Sequence, residues 1–170
     1  EKFLAGHPGA LRFAQEPKPV PASFATLSYY AADTFRFING EGTATYGRFR
    51  IHPLEAERFL EPEDAAKRNG NFLFDDLRDR LGQGSALFRL AVQIPGKGDP
   101  IADASARWPD ERQQIDIGII AVDRIDETSE EVQKTLAFDP TNLADGIEIS
   151  DDVLPLYRSA VYALALERRG

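Results

Sequence analysis

Residues 138–169 read FDPTNLADGIEISDDVLPLYRSAVYALALERR. The stretch opens as a turn-rich loop, with Asp139-Pro140 and Asp145-Gly146, and closes as a run with helical spacing. Tyr162 and Arg169 follow Arg158 by four and eleven residues. At ~100° per residue, those offsets bring the three side chains within roughly 40° of one another. Two guanidinium groups then flank a phenol on one face of an otherwise apolar helix. Arginine is costly to bury unless something anionic meets it. The alternative is a surface helix whose tyrosine packs and whose arginines are solvated.

The chain of 170 residues is 42% hydrophobic and 28% charged, which suits one globular unit with its own core. A net charge of −8 and a pI near 4.8 argue against nucleic-acid backbones and anionic membranes as partners. No apolar run approaches the ~20 residues that span a bilayer, and no secretory signal is evident. The expected compartment is the cytoplasm, with the periplasm as the alternative. Cysteine is absent, which removes disulfides, thiolate nucleophiles and Cys-ligated metals together. The sequence starts at Glu1 and has no methionine, so it is expected to be a processed chain or a piece of a longer one.

Upstream of the opening stretch, residues 1–22 carry Pro8, Pro17, Pro19 and Pro21 and are expected to form an extended arm. From Ser23 the character changes. Phe35–Ile38 and Thr43–Ile51 flank Asn39-Gly40, a strong hairpin signal. In the second strand Tyr46, Arg48 and Arg50 share a side, so Arg50 faces either water or a buried anion. Glu61-Pro62-Glu63-Asp64 starts a helix, and a second short helix is expected after a break near Asn69-Gly70-Asn71. Ser85–Ile94 and Gln113–Asp123 read as strands, separated by a Pro- and Gly-rich loop and Trp108-Pro109. The class is α+β with four mainly antiparallel strands at residues 23–123, an incomplete sheet that needs partners at its edges.

Most chemical motifs are missing. The chain has no GxGxxG, no GxxxxGK[ST] and no GxSxG. His7 and His52 lie far apart without a neighbouring carboxylate or second histidine, which argues against a His-based metal site. Asp75-Asp76 and Asp151-Asp152 are explained by acidic helix starts, and Trp108 by the core. What remains is Tyr162 as a phenolate metal ligand. A free tyrosine ionises only near pH ~10, so it needs a ferric ion and a fixed cation to serve. Arg158, one helical turn earlier, can reach the phenol oxygen and keeps its charge.

FDP-x-NL-x-DGIE-x-SDD, followed by R-x3-Y and an arginine seven residues later, resembles the haem-binding segment of catalases, above all the minimal catalases or catalase-related peroxidases. SFATLSYYAADTFRFINGEGTATYGRFRI resembles that family's hairpin strands, and ARWPDERQQIDIGIIAV its Trp-Pro strand. The resemblance implies a single unit, part of an antiparallel β-barrel with helices, in which residues 138–170 hold haem b. It implies Tyr162 as the axial ligand of the iron, Arg158 as its charge partner, and Asp152 as the carboxylate that orients Arg158. It further implies Arg169 at a haem propionate, Arg50 in the proximal network where large catalases have a histidine, and Phe3 at an aromatic position on the distal side. The family's distal histidine and asparagine match nothing here, so the chain is similar to the C-terminal half of the core. The implied activity is catalase or peroxidase turnover of hydrogen or organic peroxides, with a small organic reductant for the latter. Implied partners are a second copy or the missing N-terminal segment. The competing readings are a truncated, non-catalytic module and a catalase-fold fatty-acid hydroperoxide lyase or isomerase.

Overall fold

Phe35–Ile38 (β2) and Ala44–Pro53 (β3) form the expected hairpin, with Phe35 opposite Gly47 and Ile38 opposite Ala44. The computed structural model describes residues 2–169. The turn is longer than the two residues that Asn-Gly suggests. The side chain of Asn39 accepts from the backbone N–H groups of Glu41 and Thr43 at 3.0 and 2.8 Å, and Gly42 takes the positive φ of 82°. Asparagine acts here as an Asx acceptor, and the left-handed position falls on the second glycine of Asn-Gly-Glu-Gly.

In chain order the elements are α1 (Lys2–Ala5), α2 (Pro8–Gln15), a 3-10 turn (Phe24–Thr26), β1 (Tyr29–Tyr30), β2, β3, α3 (Pro62–Ala65), α4 (Phe72–Leu81), β4 (Ala86–Gln93), β5 (Gln114–Val122), α5 (Ser129–Thr135), β6 (Ile147–Ile149) and α6 (Leu154–Glu167). The sheet has six strands in the order β5-β4-β3-β2-β6, all antiparallel, with β1 beside the far half of β3. Two strands beyond the four expected are therefore present. Both β1 and β6 are too short to show an alternating pattern; each exists because β3 or β2 offers it an edge.

The leading segment also differs from the expected extended arm. Pro8 stands in the first turn of α2, where its missing N–H costs nothing, and PGALRFAQ continues with helix formers. Only the stretch after Gln15 runs extended, ending in a bridge between Pro21 and Phe59.

The two faces of β3 differ. On one, Phe49 packs on Phe35 and Phe37 with ring centroids 5.4 Å from each. Gly47 is required there: a Cβ would collide with Val92 Cγ1 and press on Phe37 and the Gln93 carbonyl, both at 3.2 Å. Gly47→Ala is expected to cost about 1–3 kcal/mol, read as a lower midpoint in urea unfolding with an unchanged slope.

On the other face Arg48, Arg50 and Gln93 are buried beneath the loop at residues 94–113. Trp108, 1% exposed, lies under the Arg48 guanidinium at 4.2 Å and donates from its indole to the Pro100 carbonyl at 2.8 Å. Arg112 braces the loop through Asp99 at 2.7 and 3.0 Å. That bond, with the Gly96 N–H, holds the Asp99 carboxyl below the ordinary aspartate value of 3.8. Hydroxyl and backbone donors from Ser105, Thr128 and Thr141 do the same for Asp103, Asp126 and Asp139. A carboxylate depressed in the folded state adds stability above its unfolded pKa and loses it as pH falls through the folded value. Melting temperature is therefore expected to hold down to about pH 4 and to fall steadily below it.

The outer strand β5 leaves Ile115, Ile117 and Ile119 about half exposed along one face. Among the described residues no helix is long and apolar enough to cross a membrane.

Candidate functional site

Strand β6 joins β2 through three residue pairs, and the Gly146 carbonyl accepts from Ile38 N–H at 2.8 Å. This pairing delivers the chain to the start of α6. Asp152, one residue ahead of the N-cap Val153, accepts from Leu154 N–H through Oδ1 at 2.9 Å, and Pro155 fills the first turn, so the helix begins where an Asx turn and proline direct it. Leu154, Leu156, Tyr157, Val161 and Leu164 remain exposed, so much of this apolar helix lacks cover among the described residues.

Arg158 and Tyr162 meet as helical spacing requires. Arg158 Nη2 donates to the Tyr162 hydroxyl at 3.0 Å. Arg158 Nη1 donates to Asp33 Oδ2 at 2.5 Å. The bond to the phenol, and the Asp33 charge opposing the cost of burial, hold the guanidinium above its ordinary range. Asp33 lies in the break between β1 and β2 and is 5% exposed. Its other oxygen, Oδ1, has no partner among the described residues.

Asp33 thus occupies the place expected for Asp152. Asp152 is spent on the helix start, and its Oδ2 is likewise buried without a partner. The sequence offered little signal for Asp33: a single aspartate in YYAADTF, between two strands, separated by 125 positions from Arg158.

Arg169 lies past the end of α6 and turns back to α5, donating to the carbonyls of Gln133 at 2.9 Å and Leu136 at 3.0 Å. It still lines a cavity of about 450 Å³ with Tyr162, Leu136, Ala137 and Phe138. A second hollow, about 750 Å³, shares Leu136–Phe138 and reaches Arg158, Asp33, Phe35 and Phe49. Phe138 stands 78% exposed at the boundary of the two. Its turn is pinned to α6 by Ser159, which donates to Asp139 at 2.8 Å.

The other expected site residues are not brought to Tyr162. Arg50 is buried, 7% exposed, so it faces neither water nor a carboxylate. Its guanidinium donates to the carbonyls of Ala31 and Phe49 and, at 2.5 Å, to Gln93 Oε1. Burial first, and then neighbouring Arg48, pulls its pKa down. Phe3, 65% exposed on α1, stacks on His7 at 4.0 Å. His52 bridges Ser28 at 2.9 Å and Gln114 at 3.0 Å, as an ordinary sheet histidine does.

Among the described residues no group of His, Cys, Asp and Glu could hold a metal ion by itself. A metal at Tyr162 must therefore bring its remaining ligands with it. One phenol with a fixed cation, apolar and aromatic walls, and a second arginine at the rim fit a ferric ion carried in a flat, apolar, anionic macrocycle. That donor set suits haem.

The family model described as Catalase matches residues 7–170. Two catalase-related peroxidases are similar in sequence. The one from Mycolicibacterium paratuberculosis is 35% identical over 169 residues, covering 98% of this chain and 54% of that protein. The one from Synechococcus elongatus is 28% identical over 149 residues, covering 88% and 44%. The chain thus spans about half the length of these relatives. In fold it is similar to a bacterial catalase, with a TM-score of 0.83 at 20% identity over 99% of this chain and 35% of that one. A fungal catalase superimposes with a TM-score of 0.77 at 21% identity, covering 88% and 32%.

Proposed function

The chain belongs to the catalase family, and we propose that it forms the tyrosine-ligand side of a haem b site in a peroxide-consuming enzyme. The observation that carries this reading is the Arg158–Tyr162 hydrogen bond at 3.0 Å beside the cavity that Tyr162 shares with Arg169 and Phe138. When bound, haem supplies a redox-active ferric iron that exchanges electrons with peroxide.

This chain's own residues set the ligand. Tyr162 would hold the iron through its phenol oxygen, and Arg158 Nη2, 3.0 Å away, would donate to that same oxygen. An arginine cannot be deprotonated in competition, so the phenolate keeps a permanent positive neighbour. Leu136, Ala137 and Phe138 line the same cavity as the phenol and give it apolar walls. Arg169 has a guanidinium at the cavity rim for a carboxylate such as a haem propionate; its carbonyl bonds to α5 hold it there.

The group that moves protons during turnover is assigned to another part of the protein, because His7 is stacked on Phe3 and His52 is engaged by Ser28 and Gln114. Peroxide is the proposed substrate, a small organic molecule the proposed reductant, and a self-associated cytoplasmic enzyme the proposed setting. Titration of the purified chain with haemin tests the ligand side: a saturable Soret shift at one equivalent, with a high-spin ferric spectrum, is expected. Flat, non-saturating absorbance would overturn the assignment.

A further inference from the structure

We infer that Asn69-Gly70, in the break between α3 and α4, is the step at which the folded chain deamidates, and that it converts Asn69 to isoaspartate, the substrate of carboxyl-methylating repair enzymes. The inference concerns a connection outside the tyrosine site and does not rest on the haem reading.

Four asparagines occur in the chain, and two of them, Asn39 and Asn69, precede a glycine. The glycine matters because its backbone nitrogen begins the reaction. That nitrogen loses its proton to base and attacks the asparagine Cγ. A C–N bond closes a succinimide ring, and the side-chain nitrogen leaves as ammonia. Water then opens the ring at one of its carbonyls and gives aspartate or isoaspartate. Water enters, ammonia departs, and nothing is oxidised or reduced. A side chain on the attacking residue hinders the closure, as at Asn71-Phe72 and Asn142-Leu143. Gly40 and Gly70 both stand in open space, with nothing within 4 Å of where a Cβ would lie. Asn39 and Asn69 are both exposed.

The two steps differ in how tightly the fold holds the asparagine. Asn39 closes the β2–β3 turn. Its side-chain oxygen accepts from Glu41 and Thr43 N–H at 3.0 and 2.8 Å. Its own N–H donates to the Thr43 carbonyl at 3.0 Å, and its carbonyl accepts from Gly42 N–H at 2.9 Å. Cγ reaches the Gly40 nitrogen only when this set of bonds opens. Among the described residues Asn69 is held by half as many. Its side-chain oxygen accepts from Asn71 N–H at 2.8 Å, and its carbonyl from Phe72 N–H at 3.4 Å. Two fewer bonds, each worth a factor of about five, leave Asn69 about 25-fold more reactive.

The two lesions also differ in cost. Isoaspartate routes the main chain through the side-chain carbons and so lengthens it. At residue 39 the extra length would enter a hairpin in which Ile38 pairs with Ala44, and it would disturb the register of β2 on β3. At residue 69 it enters a connection. Helix α4 starts beyond it at Phe72, with Phe74 edge-on to Phe24 at 5.3 Å and Leu77 lining a cavity with Ile51 and Phe88. The chain therefore stays folded as the product accumulates, and isoaspartate at residue 69 marks its age.

The test incubates the full chain, folded, at mildly alkaline pH and follows each Asn-Gly step by peptide mapping. Two readouts are taken: the mass gain of an amide turned to an acid, and methyl acceptance from an isoaspartyl methyltransferase. Asn69 is expected to convert about 25-fold faster than Asn39, with isoaspartate as the larger product. In urea the two rates are expected to converge, because the hydrogen bonds that set them apart are gone. Asn69→Ser is expected to remove nearly all of the mass gain. Asp145-Gly146 can close the same ring, but it loses and regains water and gains no mass, so it stays out of that count. Asn39 converting as fast as Asn69 in the folded chain overturns the inference. An equal gap in urea does so too, since it assigns the difference to neighbouring residues and not to the fold. So does a folded chain that keeps Asn69 intact while the unfolded one loses it.

Discussion

Tyr162→Phe is expected to remove ferric haem retention, with haemin affinity falling by on the order of a hundredfold or more and the high-spin ferric spectrum lost. The substitution deletes one oxygen and keeps the ring. The ring still lines the cavity it shares with Leu136 and Phe138, and thermal stability stays within about 1 kcal/mol of the parent. What disappears is the one side chain, among the described residues that line the cavity, that could meet a ferric ion as an anion. Arg158 is left with Asp33 alone, a pair that needs no phenol. Soret titration and a melting curve on the same sample separate loss of the ligand from loss of the fold. A Tyr162→Phe chain with the parent's spectrum would remove the axial-ligand assignment.

Arg48→Ala is expected to be the most destabilising single change, at about 3–5 kcal/mol or a fall in Tm of about 10 °C. Arg48 is 3% exposed and ties three separate parts of the chain together. Its Nε reaches Thr34 at 3.0 Å, its Nη1 the Ala106 carbonyl at 2.6 Å, and its Nη2 the Asp103 carbonyl at 3.0 Å. Burial pulls its pKa down, and the charges of Asp103, Asp152, Asp33 and Asp99 oppose that pull. Truncation leaves these acceptors buried without a donor and opens a void above Trp108. It also removes the counter-charge that Asp33 and Asp152 share, so damage spreads from the loop to the tyrosine site. Arg48→Lys is expected to recover less than half of the loss, because a single ammonium cannot span acceptors that the guanidinium fork reaches from two sides. Urea and thermal unfolding by circular dichroism measure both variants.

The elements that sequence reasoning located are those with a period and a terminator. The β2–β3 hairpin, β4, α4 and α6 combine apolar spacing with Pro, Gly or Asn near an end, while β5 shows in its apolar run alone and α3 in its Pro62 and acidic start. Those it missed lack one or the other. Strands β1 and β6 are two and three residues long, too short for alternation to register. Helix α2 was hidden because prolines are counted as breakers wherever they stand, whereas Pro8 sits at the one helical position that tolerates it.

The site divides in the same way. Arg158 and Tyr162 are four residues apart in one helix, so backbone geometry alone makes them neighbours, and the sequence by itself determined that contact. It determined the family as well, through a motif whose residue types are tied to that spacing. Everything that depends on a second segment was decided by the tertiary structure. The carboxylate on Arg158 is Asp33 and not Asp152, because β6 pairing with β2 brings the β1–β2 break against α6. Asp152, nearer in sequence, is drawn instead to the Leu154 N–H at its own helix start. Arg50 ends on neutral acceptors under the loop at residues 94–113, and Arg169 leaves the helical face to cap α5. A helix sets offsets over eleven residues only while it lasts, and α6 stops two residues before Arg169.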